Sequence, residues 1–96
     1  MYGTIAKMKV KPGAVKAMAK WAPEQEAEDR GAVAVYAFQM DGNADEVYTV
    51  AIFESKEAYF ENANSPEQDA RYRKMLEWLE GEPEWHDGQI VYSKQY

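Results

Sequence analysis

His86 is the sole imidazole of the chain, and it stands in Glu84-Trp85-His86-Asp87. An imidazole titrates near neutral pH and is the first candidate for proton transfer. The flanking acids favour a second reading, a protonated ring at the solvated edge of a strand. Tyr72 and Asn62 fall on consecutive helical segments, where a phenol and an amide could orient a hydroxylated aromatic substrate. The structural reading makes Tyr72 a core tyrosine with its hydroxyl at the rim and Asn62 a cap or surface amide. Tyr59, Trp78 and Trp21 offer flat walls for the same ligand, or packing cover for a sheet. The candidate site is thus Tyr72, Asn62 and His86 for catalysis, with Tyr59, Trp78 and Trp21 for substrate contact.

Other chemistries are excluded by what the chain lacks. It has no cysteine, so thiolate catalysis, disulfides and Cys-ligated metals are ruled out. One His among scattered carboxylates is too few ligands for a metal site. No Gly-rich phosphate loop, nucleophile elbow or His-Glu-x-x-His run occurs, and no cofactor is expected. A formal charge of -6 repels nucleic acid and anionic lipid. The first twenty-three residues nevertheless hold five Lys and no acid, against six basic and seventeen acidic groups in the rest. That asymmetry reads as a solvated face, or as a guide for subunit pairing or an anionic ligand. The longest uncharged stretch, Gly31 to Met40, is about half of a bilayer-spanning helix, so no membrane partner is expected. Met1 to Ala6 precedes Lys7, Lys9 and Lys11, the reverse of a leader's order, and the expected location is cytoplasmic.

The elements that must position the candidates are set by periodicity. Ninety-six residues suit a single domain, 1–96. Alternation predicts a strand over Tyr2 to Val10, broken by Lys11-Pro12-Gly13. Val15, Met18, Ala19 and Ala22 recur at helical spacing. Pro23 interrupts that pattern, Glu24 to Asp29 could extend the helix past a kink, and Gly31 suits a left-handed cap. Ala32 to Met40 and Val47 to Glu54 form a hairpin about Asp41-Gly42-Asn43, residues tolerant of positive φ. Ser55 caps a short helix to about Ala63 that presents Ala58, Tyr59, Phe60 and Ala63. Ser65-Pro66-Glu67-Gln68 is a capping box opening the next helix, whose inward stripe is Tyr72, Met75, Leu76 and Leu79 and which Gly81 and Pro83 close. Trp85 to about Lys94 makes the last strand, centred on Ile90 and Val91.

This order matches an α+β, ferredoxin-like split βαβ arrangement: a four-stranded antiparallel sheet with its helices on one face. The hairpin strands are apolar at odd and even positions alike, so both sheet faces must be covered. Nothing in the chain covers the second face, and a second copy is expected there. The predicted assembly is a homodimeric α+β barrel.

Lys11-Pro12-Gly13 after a first strand, Phe53-Glu54-Ser55 followed by Glu57-Ala58-Tyr59, the Ser65-Pro66 helix start and a closing Gly88-Gln89-Ile90 strand resemble the antibiotic biosynthesis monooxygenase-like family of dimeric α+β barrels. The similarity spans nearly the whole chain through turns, caps and packing positions. It implies a dimer and a cofactor-independent monooxygenase acting on a small aromatic or quinol-like substrate. The alternative is a non-catalytic homodimer that binds a small molecule or serves as an accessory protein. The family's haem-degrading branch uses an Asn, a Trp and a His where this chain has Ala6, Asn62 and Tyr72, so haem degradation is disfavoured.

Overall fold

Side chains alternate in and out along the first strand, and that alternation sets the two faces of the sheet. Thr4, Ala6 and Met8 are buried, whereas Ile5, Lys7 and Lys9 are exposed. A computed structural model describes residues 1–24 and 31–96. Its elements run β1 (Tyr2–Lys9), α1 (Val15–Glu24), β2 (Ala32–Met40), β3 (Asn43–Phe53), α2 (Lys56–Ala63), α3 (Pro66–Leu76) and β4 (Glu84–Gln89). The strands form one antiparallel sheet in the order β2-β3-β1-β4. This is the ferredoxin-like α+β fold.

Register carries the faces of β1 across the sheet, because directly opposed residues point the same way. On the helix side, Met8 lies opposite Val47 and Ala6 opposite Thr49 and Trp85. Ala6, Met8, Val10, Val47 and Leu79 form the core, with Val15 and Met18 of α1 and Met75 and Leu76 of α3 packed against them. On the other side, Ile5 is opposite Val50, Val50 opposite Tyr36, and Tyr48 opposite Phe38. No described helix packs on that side, and Ile5, Tyr36 and Phe38 are each at least half exposed. The expectation of an apolar, helix-free face is met over β2, β3 and Ile5, while Lys7, Lys9, Glu46, Glu84 and His86 share that face.

Several boundaries differ from the sequence reading. The hairpin turn is tighter: Met40 pairs with Asn43, β3 starts there, and no described non-glycine residue has positive φ. A register shift between Gln39 and Met40 absorbs the twist that a left-handed turn would have supplied. The first helix runs through Pro23 to Glu24, where only the last turn loses a hydrogen bond. The expected continuation to Asp29 lies outside the described residues, as does any helix end that Gly31 caps, although Gly31 has φ of 84°. Helix α3 stops at Leu76, well before Gly81, because Leu79 leaves it to bridge Val10. Strand β4 ends at Gln89, so Ile90 and Val91 are not its centre. Ile90 N donates the last backbone bond, to Met1 O at 3.0 Å.

The Ser65 cap also departs from a full capping box. Ser65 Oγ accepts from Gln68 N at 3.2 Å and donates to Asn62 O at 2.7 Å, while Ser65 N donates to the same carbonyl at 3.0 Å. One buried hydroxyl thus ties the end of α2 to the start of α3. Replacing it, Ser65→Ala, is expected to lower stability by about 1–2 kcal/mol, read as a lower denaturation midpoint at constant slope. An unchanged midpoint would show that the junction is held elsewhere.

Candidate functional site

The phase of α2 decides which polar groups meet the sheet. Ser55 caps the helix, accepting from Ala58 N at 3.1 Å. Ala58 then lies against Gly31, where even a Cβ would come within 2.9 Å of the Ala58 Cβ. One step on, Tyr59 meets Phe53 ring to ring at 5.6 Å and donates to Asp87 Oδ1 at 2.9 Å. Asn62 comes four residues after Ala58 and three after Tyr59, so it shares their sheet-facing side. The inward stripe is Ala58, Tyr59 and Asn62; Phe60 and Ala63, expected to be inward, are exposed.

Asn62 is not the surface amide of the structural reading. It is only 8% exposed, and its Oδ1 is buried without a hydrogen-bond partner. An orphaned buried acceptor costs roughly 1–3 kcal/mol. The carbonyl of the same residue is fully engaged by Ser65, so the backbone is anchored while the side-chain oxygen is left open. Nearby on the same sheet face, β1 and β3 present only short side chains at mid-strand: Thr4, Ala6, Thr49 and Ala51.

The remaining candidates divide between the two faces. Tyr72, half-buried on α3, sets its ring 6.2 Å from that of Trp85 on the helix side of β4. Trp21 and Trp78 pack on one another at 5.3 Å, with Lys74 Nζ 5.2 Å from the Trp78 ring. They brace α1 against the turn after α3, which is the packing role. His86 is opposite Ile5 on the helix-free side, so the sheet separates it from Asn62 and Tyr72. Its Nε2 is 3.1 Å from Glu84 Oε1 and the side chain is exposed. Among the described residues, no group of three His, Asp or Glu gathers as a metal site.

Sequence reasoning passed over Asp87, the acceptor for Tyr59. A shallow cleft of about 360 Å³ opens beside this pair, lined by Met1, Tyr2, Glu54, Ser55, Lys56 and Gln89. Tyr2 and Phe60 complete the aromatic cluster, at 5.3 and 5.1 Å from the Tyr59 ring. That cleft holds none of the candidate residues, and its charged walls suit solvent better than a flat apolar ligand.

Burial, and then the hydrogen bond to Asp87, push the Tyr59 phenol up from 10.0 to about 12. The folded chain therefore holds this proton more tightly than the unfolded chain. The linked stability is fully present below pH 10 and is lost as pH rises through about 12. Tyr59→Phe is expected to remove that part of the alkaline decline, measured as unfolding midpoints on either side of pH 10. An identical decline in the variant would mean that the phenol is not held in the folded state.

No protein-family model matches the chain, and no curated protein does. Solved structures do match. A candidate antibiotic biosynthesis monooxygenase from Chloroflexus aurantiacus superimposes with a TM-score of 0.80 at 19% identity, covering 98% of this chain and 96% of that one. A structure named antibiotic biosynthesis monooxygenase gives 0.75 at 13% identity, over 96% and 100% of the two chains. A protein of unknown function from Nitrosomonas europaea gives 0.75 at 17% identity, over 99% and 93%. At these identities the likeness is one of fold, and the same fold carries more than one role. The chain has the fold of the antibiotic biosynthesis monooxygenase structures.

Proposed function

We propose that the chain is a homodimeric, cofactor-independent monooxygenase for a small hydroxylated aromatic or quinol-like substrate. The observation that carries this reading is the buried, unpartnered Oδ1 of Asn62. A buried acceptor is retained at a cost where a ligand satisfies it, and the group that fits is a hydroxyl or N–H donor. Thr49 and Ala51, short and part-exposed on the helix side of β3, are the residues over which a ring would lie. The names of several solved neighbours favour oxygen chemistry.

In this reading Asn62 fixes the substrate hydroxyl and Tyr72 borders the ring; Tyr59 is held by Asp87 as a wall. The electron-rich substrate itself reduces dioxygen. A ring methylene and dioxygen become a ring carbonyl and water, with the substrate supplying all the electrons and both hydrogens of the water. The chain contributes orientation and exclusion of water rather than a redox group. His86, on the opposite face, takes no part in this chemistry.

The same reading assigns the second copy to the helix-free face, where Ile5, Tyr36 and Phe38 stand out from the sheet. Among the described residues, no helix is long and apolar enough to cross a membrane, so the bilayer is not the natural cover for helices here. A charge at the centre of that face, Val50→Glu, is expected to leave a folded single copy, read by its elution volume and by retained circular dichroism. Elution unchanged from the parent would contradict a face-to-face dimer.

Oxygen uptake with a panel of quinols and anthrones tests the activity. Asn62→Leu is expected to lower turnover at least about tenfold while leaving the melting temperature equal or higher, because the orphaned oxygen is gone. Ligand-induced stabilisation without oxygen uptake would replace the oxygenase by a binding protein. Undiminished turnover in Asn62→Leu would remove Asn62 from the site.

A further inference from the structure

The helix side of β3 is packed at its two ends and open between them. Val47 is buried in the core with Met8, and Phe53 is buried against the Tyr59 ring at 5.6 Å. Thr49 and Ala51, which lie between, are part-exposed. Strand β3 is an inner strand, paired with β2 on one side and β1 on the other. Its short residues are therefore open because of what lies above them, not because they stand at an edge. Protein interiors are close-packed, and a gap over an inner strand is room for something else.

Register fixes what surrounds this gap. Asp87, Thr4, Ala51 and Val35 make one row across the sheet, and Trp85, Ala6, Thr49 and Ala37 make the next. The first row is reached from α2, through the Tyr59 hydroxyl on Asp87 at 2.9 Å. The second is reached from α3, where the Tyr72 ring lies 6.2 Å from that of Trp85. Asn62 follows Tyr59 by one turn of α2, a helix that packs on β1 and β3, and this places its buried, unpartnered Oδ1 over the same two rows. Thr4 and Ala6 are buried, so the opening lies on the β3 side.

Polarity singles out one residue of this lining. Ala6, Ala37, Ala51 and Val35 offer no side-chain hydrogen bond. The hydroxyl of Thr4 is taken up by His86 O at 3.3 Å and by the Tyr59 phenol. The hydroxyl of Thr49 has no hydrogen-bond partner among the described residues. Strand formation does not call for a hydroxyl there, since valine has the same shape and an equal preference for strands. Small-molecule sites are built in this way, from apolar walls and a few polar groups that fix a ligand's orientation.

We infer that Thr49 is a specificity-determining residue, whose hydroxyl binds a second oxygen on the aromatic ring that Asn62 holds by its first. This rests on the site proposed above and narrows its substrates to rings carrying two oxygens, diols or hydroxy ketones, because a threonine hydroxyl both donates and accepts. Dissociation constants measured by calorimetry under nitrogen, where no turnover occurs, test it with 1,4-dihydroxynaphthalene and 1-naphthol, which differ by one hydroxyl. The unaltered chain is expected to hold the diol more tightly, by roughly two- to tenfold for one neutral hydrogen bond. Thr49→Val is expected to erase that preference at an unchanged melting temperature, and Thr49→Ser to keep it. No preference in the unaltered chain, an undiminished preference in Thr49→Val, or its loss in Thr49→Ser would overturn the inference. Asn62→Leu reports on the site itself and is expected to weaken both ligands. If it does so while Thr49→Val leaves the preference intact, the inference falls and the Asn62 site stands; if neither ligand binds the unaltered chain, both fall.

Discussion

An apolar sheet face in water is the constraint on which the rest of this structure depends. Burial of apolar surface is favourable by about 25 cal/mol per Å², and a large side chain gains roughly 1.5–3 kcal/mol on full burial. Ile5, Tyr36 and Phe38 forgo much of that in a lone subunit, while Val50 and Tyr48 between them remain half-buried. The core on the helix side is small, built around five buried residues from β1, Val10 just past it, β3 and the turn after α3. A sheet supported on one side by so modest a core stands to gain stability where its second face is covered. Association also costs translational and rotational freedom, which is why the extent of the covered area matters.

Much of this arrangement was legible in the sequence. Ser55 and Ser65-Pro66 marked both helix starts, because a capping hydroxyl and an N1 proline act locally and need no tertiary context. The apolar residues on both sides of β2 and β3 announced that apolar side chains would also stand on the face without helices. Less legible was the phase of α2. Ala58, Tyr59, Phe60 and Ala63 spread apolar groups over more than half the circumference of a two-turn helix, so periodicity could not select the inward side. Gly31 and Asp87 made that selection, through close approach to Ala58 and a hydrogen bond to Tyr59. Burial of Asn62 is a consequence of the phase, and an amide was the last residue type that hydropathy would have put inside.

The end of β4 was misread for a related reason. Ile90, Val91 and Tyr92 have strand-forming side chains, but a strand needs a partner as well as propensity. The neighbour of β4 is β1, whose pairing starts at Tyr2 opposite Gln89, and past that point only the Ile90 N bond to Met1 O follows. The Asp41-Gly42 turn shows the converse. Residues that tolerate positive φ do not require it, and a register shift gave the strands their twist by another route.

Function and assembly meet at the sheet. Its helix side carries the unpartnered Asn62 oxygen, and its other side the exposed apolar side chains that the proposed second subunit would seal. Sedimentation equilibrium of the unaltered chain across a dilution series tests this account most directly. It predicts a particle of twice the 11.0 kDa chain mass that persists on dilution. A monodisperse particle of the single-chain mass at every concentration would contradict it.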